Sequence, residues 1–242
     1  MPALFKTTDG GNMKLVRFFS IAALTGSMYS TTAIAIAQEN PAYKRARAIL
    51  GENLITPEEI TARRNLSYTN EQFRYFAQTM PADSVLQWLT ENDYALIAGP
   101  PIPMKLQEIW SLNPRICNPD VIWPFTLRGF TTADDVVAPT WLAVRKEPVM
   151  NSFEKTWDEQ LTLLSHYERV PNAAELSWFI TTFYEMTGVL LFSKGYVRTH
   201  SFGWDGATVL VGNFSERFGL KIFFCGTECH DTDLGIAAAR IF

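Results

Sequence analysis

The sequence predicts an α+β protein: a helical N-terminal region, then a strand, two helices and a run of short strands. Three observations predict it. Capping-box patterns recur before apolar residues at helical spacing. Two short apolar runs, Tyr94–Ala98 and Trp141–Arg145, are bounded by turn signals. From residue 195 onward, glycines at 203, 206, 212, 219, 226 and 235 divide the chain into strand-length pieces. The 242 residues, 47% of them hydrophobic, suit one or two globular domains.

The N-terminus carries an export pattern. Met13-Lys14-Leu15-Val16-Arg17 is a positive n-region, Phe18 to Ser30 an apolar core, and Ala35-Ile36-Ala37 a small-x-small cleavage site. Residues 1–37 are therefore expected to be a signal peptide, with Met13 as a candidate start and Gln38 as the first mature residue. Its removal takes away Lys6, Lys14, Arg17 and Asp9, leaving the rest two charges more negative than the whole chain's −4. The expected location is the periplasm, the cell surface or the extracellular space. The apolar core is short and interrupted, so no integral membrane protein is expected after its removal. The acidic balance gives no basic footprint for nucleic acid. After export the chain meets oxidising conditions, where at most two of Cys117, Cys225 and Cys229 can pair within one chain.

Residues 38–98 form the expected helical N-terminal region. Residues 38–52 are polar without clear periodicity and read as a linker. Thr56-Pro57-Glu58-Glu59 places a cap, a proline at the first helical position and a box glutamate in order. Thr69-Asn70-Glu71-Gln72 repeats the box before Phe73, Phe76 and Ala77. Pro81-Ala82-Asp83 opens a helix carrying Val85, Trp88 and Leu89, which stops near Glu91-Asn92-Asp93. Tyr94–Ala98 is a strand ended by Gly99-Pro100-Pro101. Residues 99–139 are a proline-rich irregular connection anchored by Trp110, Trp123 and Phe125.

Residues 140–242 make the C-terminal domain. Trp141–Arg145 is its first strand. Thr156-Trp157-Asp158-Glu159 caps a helix with Trp157, Leu161 and Leu164 on one face, and His166 at its end, where the dipole favours a cation. Asn172-Ala173-Ala174-Glu175 caps the next. Its stripe is Leu176, Phe179, Ile180, Phe183 and Tyr184, and Gly188 stops it. Strands are expected at Gly195–Thr199, Thr208–Val211, Leu220–Phe224 and Leu234–Ile241, the last as one buried terminal strand.

The candidate site is the irregular run after the third of these strands. Strand alternation turns Leu220 and Ile222 inward and Lys221 and Phe223 outward. The expected ligand-binding residues are Lys221, Phe223, Phe224, Cys225, Thr227, Glu228, Cys229, His230, Asp231, Thr232 and Asp233. Aromatics beside small polar groups supply contact area with adaptable hydrogen bonds. Trp204, in the turn Gly203-Trp204-Asp205-Gly206, is added as an exposed aromatic. Cys225 and Cys229 read as a disulfide or as two free thiols. With His230 they have metal-capable spacing, but a closed site needs a fourth ligand such as His200, and no metal is expected. His166, His200 and His230 are scattered outside any nucleophile-elbow context, and Glu175 serves the helix start, so no catalytic residue is assigned.

Two resemblances extend this reading. Arg169-Val170-Pro171-Asn172-Ala173-Ala174-Glu175-Leu176 is similar to the Arg-Leu-Pro-Thr-Glu-Ala-Glu-Trp helix start of the formylglycine-generating enzyme and related sulfatase-modifying domains, agreeing at Arg169, Pro171, Ala174 and Glu175. That family often ends in Gly-Phe-Arg, whereas here Gly235 and Arg240 stand apart. The resemblance covers about residues 140–242 and implies a C-type-lectin-like fold, while the copper-holding cysteine motif has no counterpart. Val170–Glu175, Tyr196–Thr199 and Leu234–Arg240 also resemble motifs of exported bacterial proteins similar to diversity-generating-retroelement targets. That likeness implies a variable face between Gly219-Leu220 and Leu234-Gly235. The expected function is binding of a protein or glycan at the cell exterior, with neither catalysis nor cofactor. The alternatives are an exported enzyme of the sulfatase-modifying type that has diverged from its motif, and a structural envelope protein.

Overall fold

A computed structural model describes residues 40–117, 135–203 and 206–242. The expected signal peptide, Trp123, Phe125 and Trp204 lie outside the described residues. Among those residues the chain is α+β, with seven α-helices, two larger sheets and one two-stranded ribbon. No described helix is long and apolar enough to cross a membrane.

The chain enters through α1 (Pro41–Leu50), a helix where a linker was expected. Asn40 accepts from the Ala42 amide, Pro41 occupies the first turn, and Tyr43, Ala46 and Leu50 are buried. The intervening Lys44, Arg45 and Arg47 dilute that stripe, which is why periodicity alone missed it. The short β1 (Leu54–Ile55) leads to α2 (Pro57–Arg64) and α3 (Asn70–Gln78), both with complete capping boxes. Then α4 (Asp83–Glu91) buries Leu86 and Leu89. In β2 (Tyr94–Ala98) every residue is buried.

The 99–139 stretch is more regular than expected. Its described part forms β3 (Met104–Lys105), α5 (Leu106–Leu112) and β4 (Val136–Val137), with β3 antiparallel to β4. Trp110 is a buried anchor on α5. Next, β5 (Trp141–Arg145) pairs antiparallel along all of β2, from Tyr94 opposite Arg145 to Ala98 opposite Trp141. One sheet thus takes strands from both sides of the connection.

The helix α6 (Trp157–Leu161) has its Thr156–Glu159 box but only five residues. Leu161 is exposed and Gln160 is buried instead, which corrects the expected Trp157–Leu161–Leu164 face. His166 is likewise corrected: it sits in a turn before β6 (Glu168–Arg169), beyond the helix end.

The central element is α7 (Ala173–Thr187). Asn172 and Glu175 complete its box, and Arg169 grips both Glu175 oxygens at 2.7 and 2.6 Å. Leu176, Phe179, Ile180 and Phe183 are buried as expected, and Gly188 caps the helix at φ +74°. Trp178 is fully buried and donates to the Ala98 carbonyl at 3.0 Å.

After α7 come β7 (Tyr196–Phe202), β8 (Thr208–Ser215) and β9 (Gly219–Cys225), an antiparallel meander. The expected single terminal strand is two strands. β10 (Leu234–Ile236) lies parallel to β7, and β11 (Ala239–Arg240) joins the other sheet between β5 and β6. The sheet orders are β1-β2-β5-β11-β6 and β10-β7-β8-β9. The crossing occurs at Ala237 and Ala238. The Ala237 amide donates to Arg198 of β7, while the Ala238 carbonyl accepts from Arg145 at the end of β5. Small side chains suit that seam, and Ala237, Ala238 and Ala239 are all fully buried.

Candidate functional site

The site is built on the outer face of the second sheet. Strand alternation holds along β9: Leu220 and Ile222 are buried, and Phe223 is 60% exposed. Lys221 is half-buried and donates to Asn213 Oδ1 at 3.1 Å, with its ammonium 5.3 Å from the Phe218 ring. The Phe223 ring lies 6.1 Å from that of Tyr196 on β7, a tilted aromatic pair open to solvent on one side. Burial and the nearby Asp233 hold the Tyr196 hydroxyl pKa above its ordinary value. Phe224 points to the opposite face from Phe223 and packs half-buried against the core.

Cys225 and Cys229 form a disulfide with Cα atoms 6.1 Å apart, which resolves the two readings of this pair. Their sulfurs are engaged with each other rather than free for a metal. Among the described residues no group of three or more His, Cys, Asp or Glu is arranged to hold one. The third cysteine, Cys117, is buried and unpaired.

The segment 226–233 follows the disulfide. Glu228, His230, Asp231, Thr232 and Asp233 are exposed, and Thr227 is half-buried. His230 Nδ1 lies 3.0 Å from the Glu228 carbonyl oxygen. The backbone, by contrast, is tied down. The Thr227 carbonyl accepts from the Trp157 amide at 2.9 Å, and the Asp231 carbonyl from the Glu154 amide at 3.1 Å. The Asp233 carbonyl accepts from the Tyr196 amide at 2.8 Å. That last approach needs Gly195, because a Cβ there would stand 2.2 Å from the Asp233 oxygen. Gly235 does the same on the other side of the loop, where a Cβ would meet Pro148 at 2.8 Å and Ser152 Oγ at 3.0 Å.

Beneath the loop sits a buried polar group that the sequence reading did not assign. Arg198 of β7 is fully buried, and all five of its N–H donors have acceptors. Nε donates to Thr208 Oγ1 (3.3 Å). One terminal nitrogen donates to the Lys155 carbonyl (3.1 Å) and Gln160 Oε1 (2.7 Å), the other to the carbonyls of Gly226 (3.4 Å) and Cys229 (2.6 Å). Gln160 in turn donates to the carbonyls of Ser152 (2.6 Å) and Leu234 (3.1 Å). This explains why a glutamine displaces a leucine from the buried side of α6. Burial lowers the guanidinium pKa, and the nearby Asp231 opposes that shift. The available signal in the sequence was an arginine held between Val197 and Thr199 in a strand.

Physically, the arrangement separates two jobs. Carbonyls and a disulfide hold the loop, and most of its side chains face solvent. Such a surface can offer shape, hydrogen bonds and an aromatic platform. No known protein family, curated protein or solved structure matches this chain.

Proposed function

We propose that this chain is an exported, non-catalytic ligand-binding protein that presents Lys221, Phe223 and the 225–233 loop on a C-type-lectin-like scaffold. The ligand is a protein or glycan met outside the cytoplasm. One observation carries the reading: the loop's backbone is anchored from below while Glu228, His230, Asp231, Thr232 and Asp233 project into solvent. Side chains with no structural duty can differ between copies without unfolding the scaffold, as a variable face requires. Phe223 supplies the rigid aromatic contact that such surfaces use as an anchor.

The test is joint replacement of Thr227, His230, Asp231 and Thr232 by alanine or serine. The changes at the exposed His230, Asp231 and Thr232 should each cost less than about 0.5 kcal/mol, because exposed positions away from caps and cores seldom cost more, and the half-buried Thr227 is replaced by serine, which keeps its hydroxyl. Wild-type protein screened on a glycan array and a panel of surface proteins should select a ligand that the variant no longer holds. A variant that unfolds would make the loop structural. One that folds and still binds would move the site elsewhere. Stoichiometric copper retained by the purified chain would favour the enzymatic alternative.

A further inference from the structure

The Tyr196-Val197-Arg198-Thr199 motif has a role in the geometry that binding alone does not explain. A buried cation costs desolvation, and a purely packing role would be better served by an apolar side chain of similar volume. Among the described residues Arg198 has no carboxylate in ion-pair contact; its five acceptors are two side-chain oxygens and three carbonyls. Those acceptors belong to three separate pieces of chain: β8, the 155–160 segment and the loop. A planar fork with fixed donor directions is suited to setting the relative position of three backbones.

The disulfide does not do the same work. It joins residues only four apart and so constrains a short stretch, 225–229. Residues 230–233 lie outside it. They are held through the Glu154 and Tyr196 amides, and the 154–160 segment is itself tied to Arg198 through the Lys155 carbonyl and Gln160.

We propose that Arg198 is the positioning residue of the loop face, holding the backbone of 226–233 in one preformed arrangement whatever side chains that loop carries. This rests on the binding reading for its purpose, though not for its test. Preformed loops avoid an ordering cost when they bind, so affinity survives a change of side chains. The positions left to determine specificity are then Phe223, Thr227, Glu228 and residues 230–233.

The experiment is residue-resolved amide hydrogen exchange on the full chain, comparing wild type, Arg198→Met, Arg198→Lys and the Cys225→Ser/Cys229→Ser double variant. The reporters are the Trp157 and Glu154 amides, which donate into the loop at Thr227 and Asp231. In both arginine variants they should exchange faster by at least about tenfold, the equivalent of one lost hydrogen bond from a charged donor. Amides within β8 should stay within about twofold of wild type, which a general loss of stability would not allow. The disulfide variant should loosen the 225–229 amides, and with them Trp157, whose acceptor Thr227 lies in that stretch, while Glu154, bonded to Asp231 outside it, stays slow. Wild-type protection of Trp157 and Glu154 in either arginine variant would overturn the assignment. So would β8 amides accelerating alongside them, arginine variants that do not fold, or a disulfide variant that reproduces the whole loss. No ligand enters the measurement. A loop that loosens without Arg198, in a protein whose quadruple variant still captures its ligand, would support Arg198 as positioning residue and overturn the binding reading alone.

Discussion

At Cys117 burial decides the chemistry of a side chain. The residue is 2% exposed, and its thiol is pushed up to about 12, mainly by burial, against a lowering influence from Arg64. The thiolate is the reactive form, so it is essentially absent from the native protein between about pH 7 and 9. A thiol reagent should leave the folded chain unlabelled. Denatured without reductant, the chain should release one thiol, and after reduction three. Rapid native labelling would place Cys117 at the surface, and three thiols without reduction would contradict the disulfide. Glu58 shows the same physics in a carboxylate. It is 8% exposed, Oε2 has no hydrogen-bond partner among the described residues, and burial raises its pKa. Its folded value lies above its unfolded one, so the native state holds the proton longer. Stability from this group therefore falls as pH rises between the two values, and the cost is complete above the folded value. Glu58→Gln should flatten that acid-side slope and leave the midpoint at about pH 8 unchanged or raised. A melt at that pH lowered by more than about 1 kcal/mol would mean that the ionised carboxylate contributes a favourable bond.

At the scale of elements, α7 is the beam on which both sheets rest. Every residue from Ala173 to Phe183 is buried except Glu175, which is half-buried in the capping box and the Arg169 pair. The apolar stripe read from the sequence is thus part of a helix surrounded on nearly all sides. Phe179 is fully buried and stacks on Phe183 at 6.1 Å. Phe179→Ala should cost about 3–5 kcal/mol, read as a lowered thermal or denaturant midpoint. An unchanged melt would contradict the packing described for α7. A second tie joins α7 to α2. Arg64 pairs with Glu185 at 2.6 Å, donates to Thr181 and Thr182, and lies 4.5 Å over the Trp178 ring.

At the scale of the whole molecule, the final segment, residues 234–240, decides how the sheets are joined. It leaves the loop face as β10, crosses at Ala237–Ala238 and enters the other sheet as β11. The loop face is therefore connected directly to the core, with no linker between them. Arg240 closes the far end by lying 4.1 Å over Tyr167 and 4.8 Å over Trp88, side chains from opposite sides of the 99–139 connection. Location is also a property of the whole chain. The order of positive region, apolar core and Ala-Ile-Ala predicts cleavage before Gln38. N-terminal sequencing of protein from the source cell's envelope or medium should begin at Gln38. Cytosolic protein that still starts at Met1 or Met13 would overturn export.

Local chemistry along the chain sets where most helices begin and where the longer strands run. The boxes at Thr56, Thr69, Thr156 and Asn172 all form, because a cap is a hydrogen bond between residues three apart and needs no distant partner. The alternation of Leu220, Lys221, Ile222 and Phe223 was legible for the same local reason. Features that depend on partners far along the chain emerge only in the folded protein. The stripe of α1 has meaning only against the elements that cover it. The terminal run breaks at Ala237 because its two halves have different neighbours, β7 and β5. Gln160 takes a buried place that periodicity assigned to Leu161, because Arg198, 38 residues away, needs its oxygen. The loop residues could be named from the sequence. That their backbone is held from beneath by a buried guanidinium could not, because Arg198 meets the Gly226 and Cys229 carbonyls only after β7 and β9 have been brought into one sheet.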